Sequence, residues 1–538
     1  MFLLGIEFVL AGYITTRVFE KIQDHKENVP KDRTDTTALV QSTELTLAVK
    51  TSEREKKLHY IKVSGAAIGF SALSYLKPIF LPVALLALTY SSIPYMRLVE
   101  KSIVEKKKVD GYVLYGIADL MTLGLGRLIT ASFGAGMVHV AGFIISNVQG
   151  RSKGELADDF SRQSDKAWLL KNGVEIEAPL EKIDKGDIVV VNIGDIIPVD
   201  GAIIHGTATI DQRTLTGESQ PVEKTEGNPV FASTRIVAGG IQIRVDASGD
   251  ETAVAKIMDI LNHSVDFENK QLQGEKWADK WTWPVLALAF GSMPFLGPVQ
   301  TVAILNAHIA QNIRVVAPLS TLNYLNLISK KGILIKDGQA LEDLHDIDIL
   351  LFNKTGLRPE MVELFTDLRK QRERQLAIVS DDPLQPTREL AEKLQVDTYF
   401  HDVLPADKAE IIRQLQAQGQ KVCFVGDGLE DAMAMKSADI SISLSGATSV
   451  GSDAAQIVLM DGTLAHLPQL LDIANRLSKN LNRGLLLNVA AGVFIVACVF
   501  VLRIGILPSM ILNEFGLYTG LANAMLPLLT EKKKTIHS

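Results

Sequence analysis

Eight long apolar stretches constrain this 538-residue chain more than any other feature of its sequence. A helix needs about 20 apolar residues to cross a hydrocarbon core of about 30 Å, and each stretch comes close to that length. Long polar segments separate some of the stretches, so the pattern excludes a uniform soluble globule. It predicts a multidomain α-helical membrane protein with about eight transmembrane helices at 60–76, 78–96, 111–127, 129–148, 282–298, 299–326, 484–502 and 504–529.

The basic residues predict the orientation of these spans. If the eight spans alternate, the Lys- and Arg-rich segments 50–62, 97–108, 151–166 and 532–534 all fall on one side of the bilayer. An excess of Lys and Arg marks the cytoplasmic side. We therefore expect a multi-pass protein of a bacterial inner (plasma) membrane, with its soluble domains in the cytoplasm and the lipid bilayer as its surroundings.

Charge and cysteine content exclude two further classes. The formal net charge of −7 argues against a nucleic-acid partner. The two cysteines, Cys423 and Cys498, lie far apart in the sequence, so they indicate neither a disulfide framework nor a cysteine zinc site.

The N-terminal segment 1–59 combines an apolar start with a polar continuation. The apolar start carries Glu7 and is followed by Arg17 and Lys21, without a small-residue cleavage pattern. We interpret it as an anchor or an extra span rather than a cleaved signal, and whether residues 1–17 cross the membrane stays open. The polar residues 22–59 are expected to form a flexible linker.

Two soluble domains are predicted between the spans. Segment 150–276 has alternating runs punctuated by glycines, which indicate a small β-rich domain. Segment 330–480 alternates short apolar strands with helical stretches, which is typical of a parallel doubly wound α/β domain. The remaining predicted parts are spans 1–4 at 60–149, spans 5–6 at 277–329, spans 7–8 at 481–530 and a basic tail at 531–538.

Two motifs in the β-rich segment carry a family resemblance. The runs Gly194–Gly201 (GDIIPVDG) and Asp211–Val222 (DQRTLTGESQPV) resemble the actuator loop of cation-transporting P-type ATPases. The layout of eight spans with two leading pairs is similar to the heavy-metal-transporting branch of that family. The resemblance covers nearly the whole chain from about residue 60 onwards.

The α/β segment resembles the phosphorylation domain of the same family, in the same order and spacing. The matching runs are KGILIK at 331–336, FNKTGL at 352–357, LPADK at 404–408 and VGDGLED at 425–431. The resemblance implies a haloacid dehalogenase-like (Rossmann-like) fold. It also implies catalytic positions at Asn353, Lys354, Thr355 and Lys408, with Glu218 of the actuator loop as the residue that positions water for dephosphorylation.

The nucleophile position departs from the family pattern. Family members place an aspartate there because a carboxylate can form an acyl phosphate with the γ-phosphoryl group of ATP. Here that residue is Asn353, whose neutral amide cannot serve as the nucleophile, so we expect that no phosphoenzyme forms. Asp427 and Asp431 remain, and they are interpreted either as a magnesium site or as loop-capping residues.

A second departure is the short distance from Asn353 to the next strand. Family members insert a nucleotide-binding domain there, but Asp381, the counterpart of the next motif, follows Asn353 by only 28 residues (381 − 353). No domain fits into that gap. Magnesium is therefore the cofactor that the sequence leaves open, and ATP binding is doubtful.

The would-be transport path lacks the family's Cys-Pro-Cys thiolates, which select soft metal ions. Ile309, Ala310 and Gln311 stand in that place. Polar residues remain at membrane depth, and the spacing predicts that His308, Gln311 and Asn312 share one helical face. Two alternatives stay open: a hard-cation or proton path, or plain hydrogen bonding between helices. The candidate path residues are His308, Gln311, Asn312, Asn488, Glu514 and Asn523.

The sequence thus favours a catalytically inactive pseudo-pump that acts in binding, regulation or scaffolding. Such a role implies a protein partner in the membrane or the cytoplasm. Two alternatives remain: a divergent ATP-driven metal-cation transporter, and a passive or coupled cation transporter.

Overall fold

A computed structural model describes residues 2–27, 41–160, 166–171, 173–216, 220–256, 273–308, 310–354, 357, 361–371, 374–405, 407–426, 431–444 and 454–537. The chain divides into two compact units. The first, here called the helical unit, comprises Met1–Gly150, Gln271–Leu319 and Leu481–Leu526. The second, the mixed unit, comprises Arg151–Lys270, Ser320–Asn480 and Pro527–Ser538.

The helices carry the labels used below. In chain order they are α1 (Phe2–Glu27), α2 (Gln41–Leu76), α3 (Leu81–Glu100), α4 (Gly111–Gly124), α5 (Leu128–Phe160), α6 (Arg213–Thr216), α7 (Gln273–Leu296), α8 (Pro298–Leu305), α9 (Ala310–Ser329), α10 (Gly338–Asp343), α11 (Val362–Gln371), α12 (Leu384–Leu394), α13 (Lys408–Ala417), α14 (Ala432–Ser437), α15 (Leu467–Leu502) and α16 (Ile506–His537).

Two helical stretches among the described residues are long and apolar enough to cross a bilayer. They are Pro78–Glu105 and Leu464–Leu502, and a shorter apolar helix lies at Leu128–Ile144. The count of eight transmembrane helices therefore stays a prediction.

The expected flexible linker at 22–59 is wrong in part. Helix α1 extends to Glu27, and α2 begins at Gln41, well before the apolar stretch that starts at residue 60. Residues 41–59 contain three Glu, three Lys and three Leu, which have high helix propensity, so a polar composition there does not prevent helix formation. The rest of the predicted linker, 28–40, lies outside the described residues.

Helix α1 packs against other helices of the helical unit. Val9 is only 1% exposed and belongs to an apolar cluster with Leu88 and Leu123. Near the end of α3, Arg17 Nε donates to Glu100 Oε2 at 2.8 Å. These contacts make α1 part of this unit.

The predicted continuous helix at 299–326 is interrupted, so the expectation that His308 shares a helical face with Gln311 and Asn312 is wrong. Helix α8 ends at Leu305, and α9 begins at Ala310. Between them the amide of His308 donates to the carbonyl of Leu305 at 3.2 Å, three residues back instead of the four of an α-helix. Periodicity could not reveal this break because no Gly or Pro marks it.

In its described residues, the mixed unit has two seven-stranded sheets. The first has the order β2-β1-β3-β7-β4-β5, with β6 paired to β4. Its strands are β1 (Lys166–Lys171), β2 (Val174–Pro179), β3 (Ile188–Val191), β4 (Asp200–Asp211), β5 (Val222–Lys224), β6 (Pro229–Val230) and β7 (Arg235–Ala247). Alternating residues of these strands, such as Val189, Ile203 and Ile243, form its buried core.

The second sheet has the order β11-β10-β9-β12-β13-β14-β8 and is parallel except for β8. Its strands are β8 (Ile333–Ile335), β9 (Ile349–Asn353), β10 (Gln375–Val379), β11 (Thr398–Phe400), β12 (Val422–Gly426), β13 (Ile440–Ser443) and β14 (Ile457–Leu459). Every residue of β9 and β12 is buried, as expected for central parallel strands with both faces covered.

Candidate functional site

Asn353 lies at the carboxyl end of β9, where ligand sites of parallel α/β sheets form. Strand β9 is central, with β10 on one side and β12 on the other. The register pairs Asn353 with Val379 of β10. This position follows from chain order alone, because the strand ends on the motif that contains Asn353.

Asn353 is brought together with Asp431 and Lys408. The amide Nδ2 of Asn353 donates to Asp431 Oδ2 at 2.6 Å, and Lys408 Nζ donates to Asp431 Oδ1 at 2.7 Å. The three residues are only 3%, 1% and 4% exposed. Among the described residues, the buried carboxylate of Asp431 is thus matched by one ammonium group and one neutral amide, so the ammonium group of Lys408 balances its charge.

Gly426 makes this close arrangement possible. A Cβ atom at that position would lie 2.5 Å from Asp431 Oδ2 and 3.2 Å from Asn353 Cβ. No larger residue fits between the two side chains, so the end of β12 must be a glycine.

Lys354 is paired away from the Asp431 cluster. Its ammonium group forms an ion pair with Asp382, which follows β10. The backbone amide of Asp382 in turn donates to the hydroxyl of Ser380 at 3.0 Å. Sequence reasoning did not select Asp382, although its place just after a buried strand was an available signal.

The described residues do not fit a magnesium ion at Asp431. Both of its carboxylate oxygens already accept hydrogen bonds, and one of the donors is a cation that a metal ion would have to displace. The described part of the chain contains no group of three His, Cys, Asp or Glu side chains placed to hold a metal. Asp427, Thr355 and Glu218 lie outside the described residues.

In the β-rich sheet, the motif residue Asp200 forms hydrogen bonds that support the structure of the domain. Asp200 accepts hydrogen bonds from the backbone amides of Ala232 at 2.7 Å and Ala253 at 2.5 Å. Burial raises the pKa of this carboxyl, and the two amide donors partly oppose that rise. Asp200 therefore joins strand β4 to two loops.

The helical unit contains a second candidate site, a cavity with a volume of about 40 Å³. That volume holds about two or three waters. The cavity lies where α8 ends and α9 begins, and α4, α5 and α16 complete its walls. Its polar and sulfur-containing lining residues are Tyr115, Met137, Asn306, His308, Asn312, Met510, Asn513 and Glu514.

Several of these side chains have defined partners. Asn312 Nδ2 donates to the side-chain oxygen of Asn513 at 3.2 Å and to its carbonyl at 3.3 Å. His308 Nε2 lies 3.5 Å from Thr282 Oγ1. By contrast, Glu514 Oε2 and Asn306 Nδ2 are buried and have no hydrogen-bond partner within the described ranges.

The other predicted path residues lie elsewhere. Asn488 Nδ2 donates to the carbonyl of Gly484 at 2.8 Å. The Nδ2 atom of Asn523 lies 3.4 Å from where a Cβ atom of Gly484 would be. Neither residue lines the cavity, and the side chain of Gln311 is outside the described part. The structure therefore brings together three of the six predicted residues: His308, Asn312 and Glu514.

Sequence reasoning missed two residues that line this cavity, Tyr115 and Asn513, and two that adjoin Tyr115 without lining it, Tyr95 and Asp119. Asp119 is 3% exposed and accepts a hydrogen bond from the Tyr95 hydroxyl. It is the acidic residue within the apolar stretch 111–127, and that isolated charge was the signal that could have found it.

Comparisons with known proteins agree with this architecture. A family model of the P-type ATPase actuator domain matches residues 161–262, and a model of haloacid dehalogenase-like hydrolases matches residues 304–439. The expected actuator and haloacid dehalogenase-like domains are thereby confirmed.

Two relatives are copper-exporting P-type ATPases of Staphylococcus aureus, from strains JH9 and Newman. Each is 23% identical over 481 residues, which cover 64% of this chain and 59% of the relative. The chain thus spans 59% of the length of the curated relatives it matches.

Among solved structures, the chain is similar to a zinc-transporting PIB-type ATPase in its E2.Pi state. The TM-score is 0.51 at 18% identity, and the match covers 88% of this chain and 100% of the other. This likeness concerns the fold. Taken together, the two domain matches and the copper-exporting relatives show that the chain contains a P-type ATPase actuator domain and a haloacid dehalogenase-like domain and is similar to heavy-metal P-type ATPases.

Proposed function

We propose that this chain is a multi-pass membrane protein built like a heavy-metal P-type ATPase that does not form an aspartyl phosphate. It acts as a binding, regulatory or scaffolding partner of another membrane or cytoplasmic protein. The observation that carries the proposal is the Asn353 amide bonded to Asp431, with Lys408 on the other carboxylate oxygen.

The chemistry at β9 supports this proposal. Acyl phosphate formation needs a carboxylate oxygen that attacks phosphorus, and Asn353 presents an amide whose nitrogen is already committed as a donor. Lys408 and Lys354, which could otherwise hold a phosphoryl group, are ion-paired with Asp431 and Asp382. Both described lysines at this edge of the sheet are thus already paired with carboxylates.

The connection after β9 supports it further. Strand β10 begins at Gln375, 22 residues after Asn353 (375 − 353), and α11 lies between the two strands. A single crossover helix is the ordinary link between neighbouring parallel strands, so this stretch leaves no room for an inserted nucleotide-binding domain.

The test is acid-stable phosphoenzyme formation by the purified full chain with magnesium and either labelled ATP or labelled inorganic phosphate. We expect no label on the native chain from either donor. An Asn353→Asp variant restores the carboxylate, and label from phosphate on this variant alone would indicate an otherwise organised site. Asn475→Asp, elsewhere in the mixed unit, controls for the added charge. Label on the native chain would contradict the proposal.

A second candidate function is a cation path through the helical unit. It is favoured by the cavity, where Glu514 Oε2 and Asn306 Nδ2 are buried without partners in the described structure. The candidate path residues are His308, Gln311, Asn312, Asn488, Glu514 and Asn523. A metal cation is the substrate class suggested by the copper-exporting relatives, and hard cations or protons suit the carboxylate and amides.

Ion flux across proteoliposomes that contain the full chain tests this second candidate. If Glu514 lies on the path, Glu514→Gln lowers the flux because the neutral amide no longer attracts a cation. Glu389→Gln, on exposed helix α12 of the mixed unit, is the matched control and leaves the flux unchanged. Equal flux through native protein, Glu514→Gln and empty vesicles would remove the candidate.

A further inference from the structure

Helix α4 carries a buried carboxylate that has a neutral partner. Asp119 is 3% exposed, and its Oδ2 atom accepts the hydroxyl hydrogen of Tyr95 on α3. Its other oxygen, Oδ1, is buried and has no hydrogen-bond partner among the residues that the structure describes. An ionised carboxylate in such surroundings is strongly disfavoured unless a cation or a proton neutralises it.

Tyr115 connects Asp119 with the cavity. The two residues are four positions apart on α4 and so share one helical face. The Tyr115 ring meets the Tyr95 ring edge to face, with centroids 5.6 Å apart. Tyr115 also lines the cavity together with Glu514, and it lies within electrostatic reach of both carboxylates.

Glu514, like Asp119, has a buried carboxylate oxygen without a hydrogen-bond partner in the described structure. Its Oε2 atom is buried and unpartnered in the described ranges, and it lies on the cavity wall. The titratable groups that face the pair from the neighbouring elements are Tyr95, Tyr115, Tyr518 and His308. Among the side chains that the structure describes, no Lys or Arg lines the cavity. The two carboxylates therefore lack a fixed cation in the described part of this unit.

A metal ion in the cavity could not neutralise both groups. The thioethers of Met137 and Met510 and the His308 imidazole would suit a soft cation, and Glu514 lines the same space. Asp119 does not line the cavity, so such an ion leaves its charge unmatched. A proton on the free oxygen, taken up from water and returned to it, neutralises Asp119 without any further ligand.

We propose that Asp119 and Glu514 form a linked pair of proton-binding carboxylates in the helical unit, connected through Tyr95 and Tyr115. The proposal rests on the proposed membrane placement of this unit and names the proton as the ligand of the cation path. It does not depend on the loss of phosphoryl transfer. Each carboxylate binds one proton, and the charge state of one changes the pH at which the other titrates.

The test is infrared difference spectroscopy of the full chain in lipid nanodiscs, which reads the carbonyl stretch of protonated carboxyl groups. Spectra are recorded from about pH 5 to about pH 9, the range over which buried carboxyls titrate. We expect two protonated components, one lost in Asp119→Asn and the other in Glu514→Gln. Glu100→Gln is the control, because Glu100 is a carboxylate of the same unit that is already paired with Arg17.

Linkage predicts that Glu514→Gln moves the titration of the Asp119 component by about one pH unit or more. Tyr95→Phe, which removes the donor to Asp119, shifts the frequency of the same component, so the assignment does not depend on Asp119→Asn folding. Addition of silver(I), a soft cation, tests whether a metal ion neutralises Asp119. If a proton neutralises Asp119 instead, its infrared component remains in the presence of silver(I). Loss of that component with silver(I), absence of both components, or unlinked titrations would overturn the proposal. The phosphoenzyme assay reads a different site, so the two proposals fail separately.

Discussion

At the residue scale, the most consequential contact is the buried ion pair between Lys408 and Asp431. Their side chains are 6% and 0% exposed, with Nζ and Oδ1 2.7 Å apart. Such a pair adds little net stability compared with apolar residues of the same volume, but removal of one partner leaves a buried charge uncompensated. The Asn353 amide can share that charge but cannot neutralise it.

We therefore predict that Lys408→Met lowers the free energy of unfolding by about 3–5 kcal/mol, because Asp431 then stays buried without a cation. The control is Lys421→Met, which breaks a half-exposed pair with Asp346 at 3.6 Å and should cost about 0–1 kcal/mol. Denaturant unfolding of the full chain measures both. Equal effects of the two variants would contradict a buried, charge-neutralising role for Lys408.

Cys423 gives a second residue-scale prediction. It lies fully buried in β12, and burial raises the pKa of its thiol to about 12. At pH 8 the thiolate fraction is then about 10⁻⁴, and it rises tenfold with each pH unit. In a Cys498→Ser background, thiol reagents should label Cys423 only after denaturation. Rapid labelling of the native protein would show that β12 is not buried as described.

At the element scale, the packing of α1 on α3 depends on a glycine. A Cβ atom at Gly12 would lie 2.6 Å from Thr89 Cγ2, whereas one at Gly5 would be 4.0 Å from Leu85 Cδ2. Thr89 cannot turn away freely, because its hydroxyl donates to the carbonyl of Leu85 at 2.8 Å. The two glycines therefore provide a matched pair on one helix.

Gly12→Ala is expected to destabilise the protein by about 1–3 kcal/mol through overpacking. Gly5→Ala should instead be neutral or stabilise it by about 0.5–1 kcal/mol, since alanine favours the helix. Thermal unfolding in detergent compares the two variants. If Gly12→Ala is as stable as Gly5→Ala, α1 does not pack on α3 as closely as the structure indicates.

At the scale of the whole molecule, the chain combines the actuator and haloacid dehalogenase-like domains of a heavy-metal pump with a helical unit, in 59% of the length of its copper-exporting relatives. Both soluble domains match their family models, but the position expected to hold the nucleophile is an amide, and β9 connects to β10 through one helix. This combination is what makes a role without phosphoryl transfer the better proposal.

The predicted membrane topology can be tested with three single cysteines in a background without Cys423 and Cys498. Lys106→Cys lies after α3, whereas Lys77→Cys and Arg127→Cys lie in the turns before α3 and α5. An impermeant thiol reagent added to intact bacterial cells should label positions 77 and 127. Position 106 should react only after permeabilisation, because its basic segment is expected in the cytoplasm. The same accessibility at all three positions would contradict alternating spans.

The sequence by itself determined the features that depend on neighbouring residues and on chain order. The order of the motifs identified the two soluble domains. The motif that contains Asn353 follows an apolar strand pattern, and local periodicity therefore placed Asn353 at the carboxyl end of β9. Isolated carboxylates in apolar stretches, Glu514 and the overlooked Asp119, were visible in the same way.

Only the tertiary structure decided which charges meet. Asn353 and Asp431 are 78 residues apart in the chain, and nothing in either motif states that the amide donates to that carboxylate. The break before α9 likewise removed His308 from the helical face that its spacing predicted. Hydrogen bonds and ion pairs between distant residues depend on how strands and helices pack in three dimensions, and local sequence patterns carry no record of that packing.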